Sequence, residues 1–176
     1  SRKLPTPLAL LIRSSSAAGK TTLMETILAM VPPEEVLRLS NLTCQSLYYL
    51  DSDQLRHKTL AISEDQGLSE SAYALKLLQS EGKLTHATVV RGNDGRSVTQ
   101  LHSVEGPIQL MITSTARDVD EELANRCLIL TVDESIEQTK AIQARQRLLQ
   151  TREGLQRQGQ VAAIRTLHRH AQRLLR

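Results

Sequence analysis

The sequence predicts an α/β fold, a three-layer sandwich with a central parallel sheet, an inserted β-hairpin and helices towards its C-terminal end. Three observations carry this. Apolar runs of strand length recur at residues 8–12, 58–63, 107–115 and 127–132, and those at 8–12 and 107–115 read as buried strands. Helical periodicity fills the intervals, as in a succession of strand–helix units. The chain has 176 residues, enough for one domain with a sizeable core, and with no Trp or Phe that core must be aliphatic.

The first strand organises the rest. Residues 8–24 read LALLIRSSSAAGKTTLM: an apolar run, a loop of small residues, then Gly19-Lys20-Thr21-Thr22 opening a helix. Small residues at Ser14, Ser15, Ser16, Ala17, Ala18 and Gly19 let backbone N–H groups approach phosphate oxygens. The helix then offers its positive end to them. This is a phosphate-binding loop. Lys20 is placed to neutralise the β and γ phosphates of ATP, and the Thr21 hydroxyl to ligate Mg²⁺. Ser14 stands where the G-x-x-x-x-G-K-[ST] pattern has its first Gly, so a different shape is expected at the loop entry.

After the loop, residues 21–29 place Leu23, Ile27 and Leu28 at helical spacing, with Pro32-Pro33 as the stop. Residues 35–39 alternate as a short strand, Asn41 to Thr43 look like a helix start, and Asp51 to Asp53 are turn-like. The run 58–65 is an apolar strand ending in Glu64 and Asp65. Acids at a strand's carboxyl end can hold the Mg²⁺ shell and polarise the attacking water, although two acids after a strand are often a solvated turn. Residues 69–83 form a helix with Ala72, Leu75 and Leu78 on one face and Gly82 as its stop.

A hairpin is expected next, with arms at 85–90 and 97–102 and a tip containing Asn93-Asp94-Gly95. Polar alternation suggests that the ribbon is solvated on one side, with Lys83, Arg91, Asn93 and Arg96 as candidate nucleic-acid contacts. The strand at 107–115 ends in Thr113, Ser114 and Thr115. A hydroxyl here can orient a water against the γ-phosphate, and strand alternation lets at most two of the three share a face. A short acidic helix over 118–126 ends in Arg126, ahead of the strand 127–132. Helices follow from Glu134, with breaks expected near Gly154 and Gly159 and apolar faces drawn from Ile136, Ile142, Leu148, Leu149, Ile164, Leu167, Leu174 and Leu175.

Net charge is only +3, but residues 140–176 hold nine Lys or Arg against Glu153 alone, a net +8. That tail suits a polyanion or an acidic partner. Cys44 and Cys127 make no C-x-x-C pair, and the five histidines show no metal-ligand spacing, which argues against disulfide and zinc frameworks. A reducing, cytosolic setting fits the cysteines, no apolar run reaches membrane-spanning length and no signal peptide is evident, so a cytoplasmic location is expected. The first residue is not Met and the last lies in a helical pattern, which suggests a fragment of a longer protein.

In their order, these parts resemble an AAA+ ATPase with a pre-sensor-1 hairpin, the branch that includes minichromosome-maintenance helicases. The wording of residues 40–65, 77–83 and 122–133 is similar to the helicase portion of bacterial primase-helicases of phages and mobile elements, which also carry a CHC2 zinc finger and a toprim primase. The resemblance implies a core over 1–133 with its hairpin insert at 84–104, and a lid-like helical segment over 134–176. Lys20 and Thr21 would bind nucleotide and Mg²⁺, with Glu64 as the acidic metal partner and Glu64 and Asp65 as the Walker B pair. Thr113 to Thr115 would act as sensor 1, Arg126 as an arginine finger, and Arg145 or Arg147 as sensor 2. Partners would be DNA, further copies in a hexameric ring, and a primase domain on the same longer chain. The expected function is thus an ATP-driven DNA helicase motor. A small-molecule P-loop kinase and a nucleic-acid-binding module with a degenerate ATPase are the alternatives.

Overall fold

A computed structural model of the chain describes residues 1–39, 44–50, 55–63, 68–91, 97–115 and 119–175. The expected helix start at Asn41 to Thr43, the turn at Asp51 to Asp53, the acids Glu64 and Asp65, the hairpin tip with Asn93 and Arg96, and Asp118 lie outside the described residues. In chain order the elements are β1 (Ala9–Arg13), α1 (Lys20–Leu28), a 3₁₀ turn (Pro33–Glu35), β2 (Val36–Leu39), α2 (Cys44–Tyr48), β3 (Thr59–Ser63), α3 (Leu68–Ser80), β4 (Lys83–Arg91), β5 (Ser97–Glu105), β6 (Gln109–Ser114), α4 (Glu121–Asn125), β7 (Cys127–Thr131), α5 (Ile136–Leu149) and α6 (Arg152–Leu174).

Five strands form one parallel sheet in the order β2-β3-β6-β1-β7, while β4 and β5 pair separately as an antiparallel hairpin. Its central strands are buried on both faces, and their period of two divides the core. Ala9, Leu11, Leu60, Ile62, Leu110 and Ile112 face α3, where Ala72, Leu75 and Leu78 close over them. Ile12, Ala61 and Met111 face α1 through Met24 and Leu28. Burying each large aliphatic contributes ~1.5–3 kcal/mol, so the two clusters hold the three layers together. β7 forms an edge of the sheet and leaves Leu128 and Ile129 exposed.

The buried stripe of α1 is Lys20, Met24 and Leu28. Leu23, expected in the core, is exposed, because a helix presents i and i+4 to the sheet and Leu23 lies about 100° round from Met24. The stop of α3 is as expected: Gly82 follows it at φ 65°, a left-handed value that Gly accepts without strain.

The hairpin is longer than its sequence signal. Its base enters the core through Leu84 and Val104, and α2 supports it by Tyr48 against His86 and Tyr49 against His102, at centroid separations of 4.8 and 5.4 Å. Beyond that base the ribbon stands clear: Val89 and Leu101 are each 70 % exposed, and Ser97 through Leu101 are all exposed. The expectation of one covered side therefore fails for the distal half.

The helical break also falls elsewhere than expected. α5 ends at Leu149, and Thr151 caps α6 by accepting the Gly154 N–H at 3.2 Å. Gly154 and Gly159 both lie inside α6. No residue of α5 is buried, and Ile136, Ile142, Ile164, Leu167, Leu174 and Leu175 are exposed rather than packed. What docks α6 is polar. Arg169 Nε donates to Ala29 O at 2.8 Å, His168 Nδ1 lies 3.1 Å from Met30 O, and Arg173 pairs with Glu34. The basic tail thus directs part of its charge at the end of α1. Among the described residues, no helix is long and apolar enough to cross a membrane.

Candidate nucleotide site

The strand order puts β6 between β1 and β3, so the carboxyl ends of all three meet at the loop after β1. That loop has two residues in the left-handed region, Ala17 at φ 61° and Gly19 at φ 90°. Gly19 takes this conformation freely. At Ala17 it costs about 1–2 kcal/mol, strain of the kind stored at functional loops. Ser14 does not have a positive φ, which is how the loop forms without a first Gly. Its hydroxyl accepts the Val132 N–H at 2.7 Å and its own N–H donates to Ser114 O at 3.5 Å, tying the loop entry to the ends of β7 and β6.

Residues 16–22 line a cleft of about 280 Å³ together with Thr113 and Thr115. Lys20 is only 8 % exposed, and its ammonium donates to Ser14 O at 3.0 Å and to Ser15 O. Among the described residues no side chain caps the first turn of α1 and no acid lies in that turn, so its N–H groups and positive end face the cleft. A buried cation, an uncapped helix start and a small-residue lining fit the phosphates of a nucleotide. Thr21 lines the same cleft, where its hydroxyl could ligate the accompanying Mg²⁺.

Of the three hydroxyls ending β6, the structure brings Thr113 and Thr115 to the cleft and leaves Ser114 out. Alternation explains it: Met111, Thr113 and Thr115 share the α1 side, whereas Leu110, Ile112 and Ser114 face α3. β3 ends at Ser63, which pairs in register with Thr113, and Glu64 and Asp65 follow it in sequence.

Sequence patterns did not single out one residue that matters here. Glu134 accepts the Ser15 N–H at 2.9 Å and the Ser15 hydroxyl at 2.5 Å. These hydrogen bonds, with the Lys20 charge nearby, hold its carboxyl below the usual glutamate range. The available signal was an acid just after β7, but only the adjacency of β7 to β1 gives that acid a partner.

The other candidates lie away from the cleft. Arg126 caps the end of α4, which Asp120 starts by accepting the Leu123 N–H at 2.8 Å. Its guanidinium donates to Glu122 Oε1 at 2.8 Å, while Lys76 holds the other oxygen of Glu122 at 2.7 Å. Lys83 and Arg91 stand at opposite ends of β4, with Lys83 facing Glu105 across the hairpin base and Arg91 exposed at the far end. Among the described residues no His, Cys, Asp and Glu cluster could hold a metal ion. Burial pushes the Cys127 thiol up to about 11, so it is no nucleophile at neutral pH.

No curated protein matches the chain. Among solved structures, the A form apo structure of the NrS-1 C-terminal region is similar at 15 % identity and a TM-score of 0.44, over 77 % of this chain and 31 % of that one. The chain thus spans about a third of that neighbour's length. A family profile described as the MTBMA_p00010 P-loop domain matches residues 2–173, the stretch containing the strand, loop and helix of the cleft. The chain belongs to that family of P-loop domains.

Proposed function

We propose that this domain is the ATP-hydrolysing motor of a DNA helicase or translocase of the primase-helicase kind, working as a hexameric ring with ATP sites shared between neighbouring subunits. The observation that carries the reading is the composition of the cleft. A phosphate loop with a buried Lys20 is completed by two hydroxyls from the adjacent strand, which is the equipment for hydrolysis as well as for binding. In this reading Lys20 and the start of α1 hold the phosphates, Thr21 holds Mg²⁺, and Thr113 or Thr115 orients the attacking water. Glu64 and Asp65 follow β3, the strand beside β6, where a carboxylate would complete the metal shell and polarise that water.

Two features outside the cleft support a motor over a self-sufficient enzyme. Arg126 is held by an exposed carboxylate that Lys76 keeps paired, so it can leave for a neighbour's γ-phosphate at small cost. The hairpin projects with both faces of its distal half exposed and Arg91 at its far end, which suits a contact with the DNA backbone. With three tyrosines and no other large aromatics, base stacking has little to work with, so DNA binding should weaken steeply with salt.

The test is ATP hydrolysis measured with and without single-stranded DNA in wild type, Lys20→Ala and Arg126→Ala. DNA-stimulated turnover that disappears in both variants is expected. Turnover indifferent to DNA, or an Arg126→Ala chain as active as wild type, refutes the shared-site motor.

A further inference from the structure

We infer that Glu134 is a positioning residue for the phosphate loop, bracing it from outside the cleft through Ser15; this rests on the nucleotide-binding function proposed for the cleft. The peptide unit joining Ser14 to Ser15 is gripped at both ends. Its carbonyl, on Ser14, accepts the Lys20 ammonium at 3.0 Å, and its N–H, on Ser15, donates to Glu134 at 2.9 Å. A carboxylate and an ammonium on opposite ends of one peptide polarise it in the same sense, so each bond strengthens the other. The Ser15 hydroxyl gives Glu134 a second donor at 2.5 Å, and two residues before Glu134, Val132 donates its N–H to the Ser14 hydroxyl at 2.7 Å. Residues 132–134, directly after β7, thus include two of the groups that fix the loop entry. This is the entry where the phosphate-loop pattern places a Gly and this chain has Ser14.

Glu134 is exposed and does not line the cleft, so its hydrogen bonds reach the nucleotide only through the loop. Ser135, the next residue, caps α5 by accepting the Gln138 N–H at 3.2 Å, so the brace lies at the root of the α5–α6 arm. The other end of that arm reaches the far end of α1 through Arg169 and Ala29. The segment that begins with Glu134 therefore touches both the phosphate loop and the far end of the helix that follows it.

Two effects of the carboxylate oppose each other. As a brace it favours binding by presetting the loop, and as a negative charge near a polyphosphate it disfavours binding. Water weakens both because Glu134 is exposed, but the hydrogen bonds act at contact whereas Glu134 does not line the cleft. The brace is therefore the larger effect. Glutamine separates the two, since it keeps one acceptor oxygen and removes the charge.

Equilibrium binding of a fluorescent ATP analogue with Mg²⁺ to the whole chain tests this in wild type, Glu134→Ala, Glu134→Gln, Ser15→Ala and the Glu134→Ala/Ser15→Ala pair, with thermal melts confirming that each folds. Loss of the charged hydrogen bonds should weaken binding about tenfold or more in Glu134→Ala and by about threefold in Glu134→Gln. The double variant should be no weaker than Glu134→Ala alone, because both act through one contact. Unchanged binding in Glu134→Ala, tighter binding in Glu134→Gln, or simple additivity in the pair overturns the brace and leaves the nucleotide-binding function standing. A folded wild type that takes up no analogue overturns both.

Discussion

Arg173 grips Glu34 at two points, Nε to Oε1 at 2.7 Å and Nη2 to Oε2 at 3.1 Å, and so fastens the last turns of α6 to the corner after α1. That pairing lowers the Glu34 carboxyl from 4.5 to about 2, chiefly through its hydrogen bond with Arg173. A carboxylate depressed by folding contributes stability that is fully present above its unfolded value and is lost as pH falls towards its folded one. The protection of amides at the end of α6, taken relative to the intrinsic exchange rate at each pH, should therefore fall between about pH 4.5 and 2, and Glu34→Gln should show that loosened behaviour already at neutral pH. Exchange in Glu34→Gln equal to wild type at pH 7 would count against the clamp.

Gly154 and Gly159 lie in the same helix and should respond oppositely to alanine. A Cβ at Gly154 would stand 2.1 Å from Leu148 O and 2.5 Å from Leu149 Cα, both backbone, so Gly154→Ala forces the α5–α6 corner apart. A loss of about 1–3 kcal/mol is expected by denaturant unfolding. At Gly159 a Cβ meets nothing within 4 Å, and Gly159→Ala should gain about 0.5–1 kcal/mol from helix propensity.

Arg126→Ala separates a structural arginine from a catalytic one. Its pair with Glu122 is an exposed i,i+4 contact that water leaves with little weight, and Lys76 keeps Glu122 paired when it goes. The melting temperature should scarcely move, while turnover in the assembled state should fall by about 10³ or more if the guanidinium serves a neighbour's site. A fall in stability without a fall in turnover would assign it to the α3–α4 surface.

The hydroxyls at the end of β6 can be sorted by the same comparison. Thr113→Ala and Thr115→Ala alter the cleft lining, so at least one should slow hydrolysis while leaving nucleotide affinity within about threefold, the pattern of a group used in the transition state. Ser114→Ala lies on the other side of the sheet and should change stability alone, read by denaturant unfolding beside steady-state turnover.

The features legible in the sequence are the local ones. The strand, loop and helix around Lys20 are contiguous, the α3 stripe of Ala72, Leu75 and Leu78 comes from helical period, and the choice of at most two hydroxyls comes from strand period. The misses are tertiary. Glu134 acquires its role only because β7 lies beside β1. Gly154 looks like a break because a glycine pressed against a neighbouring backbone and a glycine that ends a helix read alike, and Gly159 because nothing in the sequence marks a glycine as lying inside a helix. Leu23 fits a core pattern because apolar spacing counts side chains without knowing which ones the sheet reaches. The tail arginines read as free charge because their partners at and after the end of α1 are more than a hundred residues away.

In mechanical terms α5 is a spacer. A helix of 14 residues with none buried draws nothing from the core, so it works as a strut about 21 Å long between the phosphate loop and the clamp on α1. Almost any exchange of one surface residue for another along it should pass unnoticed. A single inserted residue, by contrast, would turn everything beyond it by about 100° and carry Arg169 and Arg173 off their partners. The strut is constrained in its span and phase and is nearly free in its composition.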